Sequence, residues 1–452
     1  MQNFVQGDRN QPYLLPPDLR EWLPEDDLAH FVVAAVERVP LSEFVVNTRG
    51  TGSAQYHPRM MLALLIYCYA NGVFSSRRIE RATYRDIGVR YVTANTHPDH
   101  DTICKFRREN LEAVQSGFVE VLLLAKELKL LTVGRVSVDG TKVKANASKR
   151  RSIRYDRAVQ LREQLRGEVA DLLGKAERAD RKAEADPQQL PKELARREQL
   201  ASQLDAACER LERQAREQAE REQVEYERKV AAREKRRGRA KGRHIKPPAD
   251  TPAEDTQVNL TDADSSLMRK NKRSEYRQAY NAQAVVDADG SQLVLGTRVS
   301  QCASDRNELV ADIDSVPAAL GTPAQVLADN GYATEKEVDA LTGREIDVLV
   351  AVGAEDRRRQ HDFRPLPDPA QATEPKPPKA PWLVAMQEKL SEPAHRASYR
   401  LRQQTVEPVF GIMKHAMGFR QFLLRGHEKV TGEWQLLALA YNCKRLHNLQ
   451  LA

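Results

Sequence analysis

Two aspartates follow short apolar runs, and each has a glycine close behind it. Asp329 follows the apolar run of "QVLADNGYAT" and precedes Asn330-Gly331, whereas Asp139 follows that of "GRVSVDGTKV" and precedes Gly140. Asn-Gly tolerates a positive φ and Asp often begins a turn, so either stretch alone is also typical of a turn. If the two runs are neighbouring parallel strands that end there, both carboxylates lie side by side at one edge of a sheet.

Two neighbouring carboxylates repel each other, so such a pair predicts a bound cation. Oxygen ligands without nearby cysteine favour Mg²⁺, with Mn²⁺ as the alternative. Glu407, in "YRLRQQTVEPVFGIMKH", is the candidate for a third acid. A glutamate beside an apolar stripe is by itself more typical of a solvated helix edge. Here its neighbours are basic, and Lys414 lies two helical turns further on the same face, which suits a site for metal and phosphate together.

The composition indicates a globular, basic protein. The chain has 452 residues, of which 41% are hydrophobic and 30% are charged, and its net charge is +7. Excess base favours a polyanionic partner without distinguishing DNA from RNA or an anionic membrane. The five cysteines form no CxxC pair, so neither a zinc module nor a disulfide framework is indicated. The most apolar run, residues 60–70, is too short to span a membrane, and no signal peptide precedes it, which predicts an intracellular protein with no membrane partner.

Residues 1–130 predict an all-helical N-terminal domain. The stretches "PRMMLALLIYCYANG", "SSRRIERATYRDI" and "HDTICKFRRENLEAV" each combine a helix-starting residue with a helical pattern. Three short helices with a basic third one resemble a helix-turn-helix DNA-binding arrangement. The alternative is a small helical bundle with a solvated basic face. The candidate DNA contacts on the third helix are Lys105, Arg107 and Arg108.

Residues 151–249 predict an inserted, highly charged helical hairpin. Its apolar residues alternate spacings of three and four, as in a short coiled-coil seam, at Ala201, Leu204, Cys208, Leu211 and Ala215. "ADPQQLP" at Ala185–Pro191 separates the two arms. The basic tract "REKRRGRAKGRHIK" then suits either phosphate contact or a solvated linker.

The remaining residues, 131–150 and 250–452, predict an α/β core. "AYNAQAVVD" and "QLVLGTRVS" form a hairpin around Asp289-Gly290, and the strands "AQVLAD" and "EIDVLVAV" follow with helices between them. A Pro-rich stretch, residues 364–381, precedes a helical C-terminal region.

Four pieces in this order, "VDGTKVKANAS", "YNAQAVVD", "LADNGYAT" and "YRLRQQTVEPVFGIMKH", resemble the DDE transposases of bacterial insertion sequences, within the ribonuclease-H-like and retroviral-integrase-like superfamily. The resemblance implies a ribonuclease-H-like mixed five-stranded sheet with flanking helices. It also implies that the catalytic and metal-binding acids are Asp139 on the first strand, Asp329 at the end of the fourth strand and Glu407 on the last helix of the core.

The chemistry implied by the resemblance is phosphoryl transfer with two Mg²⁺ ions on double-stranded DNA. Such an enzyme cleaves at terminal inverted repeats and joins the 3′-hydroxyl ends to target DNA, as a homodimer or higher synaptic oligomer in the bacterial cytoplasm at the nucleoid. Tyr399, Arg402 and Lys414 would contact the DNA, although the gap from Arg402 to Glu407 is one residue longer than the commonest form. The alternatives are a nuclease without strand transfer and a non-catalytic DNA-binding protein on a degenerate scaffold.

Overall fold

The structure is a computed structural model that describes residues 18–47, 54–182, 189–235, 246–269, 273–352 and 380–451. The chain divides into two compact units. Unit 1 comprises the chain up to Val143, Asn281–Leu424 and the chain from Glu428 onward, and unit 2 comprises Lys144–Tyr280 and Arg425–His427. Most of the predicted basic tract and of the Pro-rich stretch lies outside the described residues.

The N-terminal part of unit 1 is helical, as predicted. Its helices are α1 (Leu28–Val36), α2 (Pro58–Ala70), α3 (Ser76–Arg85), α4 (Ile87–Val92), α5 (His100–Glu109) and α6 (Leu111–Glu127). Asp27 and Asp99 cap the N-termini of α1 and α5 by accepting backbone hydrogen bonds. Every residue of α2 from Met61 to Ala70 is buried, which identifies the apolar run of the sequence as a core helix.

The strands form one mixed sheet and one small two-stranded sheet. They are β1 (Arg135–Lys144), β2 (Ser152–Arg154), β3 (Gln257–Asn259), β4 (Ser266–Met268), β5 (Arg277–Asp287), β6 (Val294–Ser300), β7 (Gln325–Ala328) and β8 (Asp347–Val350). The order in the main sheet is β4-β5-β1-β7-β8, and β6 pairs with β5. β1, β7 and β8 are parallel, whereas β5 and β6 form the predicted antiparallel hairpin.

The sheet confirms the ribonuclease-H-like α/β prediction with two differences. A sixth, three-residue strand, β4, pairs with the beginning of β5. The prediction that the first strand ends at Asp139 was wrong, because β1 continues to Lys144. Its neighbour β5 is eleven residues long, so β1 still has a pairing partner beyond the point where the shorter β7 has ended.

Unit 2 contains the predicted helical hairpin, formed by α7 (Tyr155–Lys182) and α8 (Gln189–Lys235). Leu165 of α7 packs with Leu204 and Cys208 of α8. Of the predicted seam, Leu204, Cys208 and Leu211 are buried, whereas Ala201 and Ala215 are half-buried. At the base of the hairpin, β2 and β3 pair antiparallel, and Val258 of β3 packs on Leu211 of α8. The hairpin therefore has its own small apolar core.

The helices that complete unit 1 are α9 (Leu309–Ile313), α10 (Glu335–Thr342), α11 (Pro381–Ser391), α12 (Pro393–Gly411) and α13 (His427–Leu451). Glu407 lies on α12, and the family resemblance implied that this is the last helix of the core. That assignment was wrong, because α13 follows and packs into the core: Trp434 is 1% exposed, and its indole N–H donates to the Gln283 carbonyl at 2.8 Å.

α12 contains an internal proline, Pro408, which has no N–H to donate to the carbonyl of Gln404. The Gln292 side chain donates to that carbonyl instead, at 2.8 Å. The helix then passes into a π-helical turn at Ile412–Ala416. No helix in the described ranges is long and apolar enough to cross a membrane.

Candidate active site

The two aspartates with glycine behind them meet at one edge of the main sheet. Val138 of β1 and Ala328 of β7 are the last registered pair of two parallel strands. Asp139 and Asp329 each follow one member of that pair, so they take equivalent positions on neighbouring strands. The structure thus brings two of the three predicted acids side by side.

Backbone N–H groups fix the orientation of both carboxylates. Gly140 N donates to Asp139 Oδ1 at 2.8 Å, and Gly331 N donates to Asp329 Oδ1 at 2.7 Å. Asp329 in this way caps the short 3₁₀ turn Asn330–Tyr332. The turn suggested by Asp-Asn-Gly is therefore present. It holds the Asp329 carboxylate in place directly after the end of β7.

Burial and mutual repulsion perturb this pair. The pKa of the Asp139 carboxyl is raised to about 7, first because burial disfavours its charged form and second because Asp329 is negatively charged. The Gly140 N–H and the guanidinium of Arg402 lower this pKa and so offset part of the shift. A carboxylate pair in this state gains stability from any cation placed beside it.

Arg402 lies near both Asp139 and the third predicted acid, Glu407. Its Nη1 is 4.0 Å from Asp139 Oδ2, and its Nη2 is 3.9 Å from Glu407 Oε1. The Arg402 side chain is only 9% exposed, whereas that of Glu407 is 56% exposed. The guanidinium also lies over the half-buried ring of Tyr399, 5.9 Å from its centroid. In this structure Arg402 therefore faces the acids instead of an open surface.

The donor set fits a divalent metal ion only in part. Asp139 and Asp329 supply the oxygen ligands that Mg²⁺ and Mn²⁺ prefer, and their shared burial favours a cation. Glu407 contacts Arg402, and its side chain is 56% exposed. Within the described part of the chain, no three His, Cys, Asp or Glu side chains are close enough together to hold one metal ion.

Lys414, the predicted phosphate contact on the same helical face as Glu407, reaches β1. Its ammonium donates to the Thr141 hydroxyl and, at 3.3 Å, to the Lys142 carbonyl. These two residues follow Asp139 by two and three positions. Lys414 thus ties the π-helical turn to the strand that carries the first acid.

A fourth carboxylate at this edge, Asp305, was missed by the sequence analysis. Asn281 and Gln283 of β5 both donate to Asp305 Oδ1, at 2.7 and 2.9 Å. The Tyr332 hydroxyl in turn donates to the Gln283 side-chain carbonyl. The signal that could have found this network is the alternation in "AYNAQAVVD", which puts the two amides on one face of a predicted strand.

In the N-terminal helices, the structure separates the three predicted DNA contacts. Lys105 and Arg108 are exposed on α5. Arg107 is not: it is 4% exposed, and its Nη1 donates to the Tyr69 hydroxyl at 2.8 Å and to the Phe74 carbonyl at 3.0 Å. The placement of Arg107 on the basic face was wrong, because the helical position that it occupies points into the core.

A second basic surface lies on α3 and was not singled out from the sequence. Its exposed arginines recur every four residues and so share one helix face, at Arg77, Arg81 and Arg85. α3 packs against α5, so this face adds to the positive charge of Lys105 and Arg108.

A mixed sheet with acids on adjacent parallel strands and flanking helices is consistent with a ribonuclease-H-like fold. Residues 253–443 match the family model of the transposase DDE domain, and residues 17–109 match that of a transposase domain (DUF772). No curated protein and no solved structure matches the chain. The two family matches together indicate a DDE-type transposase of an insertion sequence.

The two matches cover different parts of the chain. Asp329, Glu407, Arg402 and Lys414 lie within the matched DDE domain, which begins after Asp139. The other match contains α1 to α5. Both matched segments are thus similar to transposase domains.

Proposed function

We propose that Asp139, Asp329 and Glu407 are the catalytic acids and hold Mg²⁺, with Mn²⁺ as the alternative. On this proposal the transposase cleaves double-stranded DNA at terminal inverted repeats and joins the 3′-hydroxyl ends to target DNA. The observation that carries the proposal is the meeting of Asp139 and Asp329 at the edge of parallel strands, in a chain of the DDE family. Divalent cations held there would supply Lewis-acid activation of the attacking oxygen and would neutralise charge on the phosphate.

The chain's own contribution is to keep the two aspartates in place and to balance their charge. The Gly140 and Gly331 N–H groups fix the carboxylate orientation. Arg402 lies beside Asp139 and offsets its negative charge. Because a guanidinium binds phosphate with two parallel hydrogen bonds, Arg402 can transfer from the acids to a DNA phosphate when substrate arrives.

Glu407 completes the acid set only if its side chain passes Arg402. It is exposed on α12, so its rotamer can change without repacking the core. The π-helical turn that follows α12 is a type of irregularity that occurs often at functional sites. The proposal is therefore that substrate draws Arg402 away and that Glu407 then turns toward Asp139.

The DNA surface of this proposal has two parts. Near the acids, Tyr399 and Lys414 lie beside Arg402 and β1 and contact the terminal nucleotides. In the N-terminal domain, the exposed basic residues of α5, Lys105 and Arg108, bind the terminal repeats. The exposed arginines of α3, which are Arg77, Arg81 and Arg85, bind them as well. A homodimer or higher oligomer pairs the two ends of the element.

The decisive experiment is a strand-transfer assay on a duplex with a pre-cleaved 3′-hydroxyl end. The wild-type chain with Mg²⁺ is expected to produce joined product. Asp139→Asn, Asp329→Asn and Glu407→Gln should each abolish cleavage and joining and leave binding to the terminal repeat largely intact. Hydrolysis without joined product would identify a nuclease instead, and binding without either reaction would identify a non-catalytic DNA-binding protein.

A further inference from the structure

We propose that the exposed ring of Tyr84 on α3 is a stacking platform for an unpaired DNA base. The inference rests on the proposed function, because it deepens the DNA surface assigned to the N-terminal domain. The α3 arginines hold the duplex, and Tyr84 takes the base of an unpaired nucleotide beside it. The ligand class that this adds is a single-stranded nucleotide next to duplex DNA, as in a DNA overhang.

The Tyr84 ring lies flat on the imidazole of His97. The two ring centroids are 3.9 Å apart, and the ring planes are 13° from parallel. His97 covers one face of the Tyr84 ring, yet Tyr84 is 59% exposed. The opposite face of the ring is therefore open to solvent, and it offers an aromatic surface on which a base can stack.

The support beneath this ring is itself fixed. His97 Nδ1 lies 3.1 Å from the hydroxyl of Thr83, which is 0% exposed. The Tyr56 hydroxyl donates to the His97 carbonyl at 3.2 Å. Because the two stacked rings are held in place before any ligand arrives, little side-chain freedom is lost when a base binds to them.

The charge around Tyr84 favours a polyanion. α3 carries four arginines and one acidic residue, Glu80, whose Oε2 lies 2.8 Å from His100 Nδ1. Tyr84 follows Arg77 by seven positions and Arg81 by three, so all three share one helix face. Phosphates on either side of a stacked base can pair with these guanidinium groups. A second copy of this chain packed on the same face would bring its own arginines against them, which disfavours that partner.

Base pairing decides which DNA the ring can bind. Inside a duplex each base is covered on both faces by its neighbours, so an aromatic side chain reaches a base face at a DNA end or at an unpaired nucleotide. Proteins that bind single-stranded DNA combine basic side chains with aromatic rings in this way. The open face of Tyr84 among the α3 arginines has both parts, so it distinguishes an overhang from a blunt duplex.

The test compares two DNAs that differ in an overhang. Fluorescence anisotropy in divalent-free buffer measures binding of the full-length chain to a blunt duplex and to the same duplex with a short single-stranded extension, on its 3′ end or on its 5′ end. Stacking tolerates any sequence, and loss of one base–aromatic stack weakens affinity by about 5- to 150-fold. We expect Tyr84→Leu to lose this amount for the extended duplex and to bind the blunt duplex like the wild type.

Two variants control for this change. Tyr84→Phe keeps the ring and should bind the extended duplex like the wild type. Tyr276→Leu removes a tyrosine of unit 2 that is 45% exposed and lies under the Arg269 guanidinium, and it should leave both affinities unchanged. An equal loss in Tyr84→Leu and in Tyr276→Leu would overturn the assignment.

A direct signal of stacking keeps the inference testable if Tyr84→Leu does not fold. 2-Aminopurine in the extension loses fluorescence when it stacks on an aromatic ring. The wild-type chain should quench it at the position that reaches Tyr84, and 2-aminopurine inside the duplex should show no further change. The absence of quenching at every position of both extensions would overturn the inference without any variant.

The outcomes also separate this inference from the proposed function. Equal weakening of both DNAs in Tyr84→Leu would make the ring a duplex contact, and unchanged affinities with a changed sedimentation coefficient would make it a contact between copies. Either result overturns the platform and leaves the proposed function standing. Arg81→Gln and Lys105→Gln should weaken both DNAs alike, because each removes a phosphate contact. If both of these variants bind like the wild type, the proposed DNA surface of the N-terminal domain fails instead.

Discussion

Arg402 Nη1 lies 4.0 Å from Asp139 Oδ2, and the same guanidinium lies 3.9 Å from Glu407 through Nη2. A positive side chain that is 9% exposed thus lies near two acids that are proposed to act together. Its charge compensates part of the repulsion between Asp139 and Asp329. In the candidate active site the charge of Arg402 therefore offsets part of the charge of the acids. A cation must compete with Arg402 for the acids, and a DNA phosphate must compete with the acids for Arg402.

Replacing Arg402 should therefore unbalance the metal-free site. Arg402→Gln is expected to lower the free energy of unfolding by about 1–3 kcal/mol, since it removes a charged partner from a largely buried site. Added Mg²⁺ should recover more stability in this variant than in the wild type. Urea denaturation with and without Mg²⁺ measures both effects. Arg400→Gln, on the exposed side of the same helix, is the control, and an equal loss in both variants would contradict the compensating role of Arg402.

The raised pKa of Asp139 predicts a pH-dependent stability. Its folded-state pKa of about 7 exceeds the ordinary 3.8. The corresponding stability is fully present below pH about 4 and is lost as the pH rises through about 7.

Asp139→Asn removes this effect. In divalent-free buffer the variant should be more stable than the wild type by about 2–4 kcal/mol near pH 8, because each pKa unit corresponds to about 1.4 kcal/mol. The difference should disappear toward pH 4. Thermal or urea unfolding across this range checks it, with Asp314→Asn as the control. A difference that stays constant with pH would show that Asp139 titrates normally.

Because Arg107 is buried, we expect its replacement to lower the stability of the protein without weakening DNA binding. Arg107→Met leaves Glu433, 1% exposed, without its cationic neighbour at 3.9 Å. Breaking a buried ion pair in this way costs about 3–5 kcal/mol, and Glu433→Gln in the same chain should recover part of the loss. Arg108→Met, at the exposed neighbouring position, should do the reverse and weaken DNA binding at unchanged stability. Lost DNA binding in a fully stable Arg107→Met chain would restore the surface role.

The sequence predicted which residues and strands carry the acids better than it predicted how their side chains lie relative to one another. Asp139 and Asp329 could be placed together because an apolar run, an acid and a glycine recur in both strands. The position of Glu407 relative to them depends on the rotamers of Arg402 and of Glu407 itself, which no periodicity encodes. Asp305 was missed because it lies in an irregular loop, where only the contacts with β5 give it a role. Arg107 was misplaced because its buried partner, Glu433, is remote in the chain.

The helical hairpin offers a test of modularity, because the buried seam of its described residues lies near its base. Tyr155 bonds to Glu212 at 2.9 Å, and Leu165 packs on Leu204. Replacing residues 170–195 by a short glycine-containing turn retains these contacts, so the shortened chain should keep its melting temperature and its resistance to limited proteolysis. Leu204→Asp, by contrast, buries an unpaired charge and should make unit 2 sensitive to protease. A shortened chain that melts well below the wild type would show that the outer hairpin stabilises the fold.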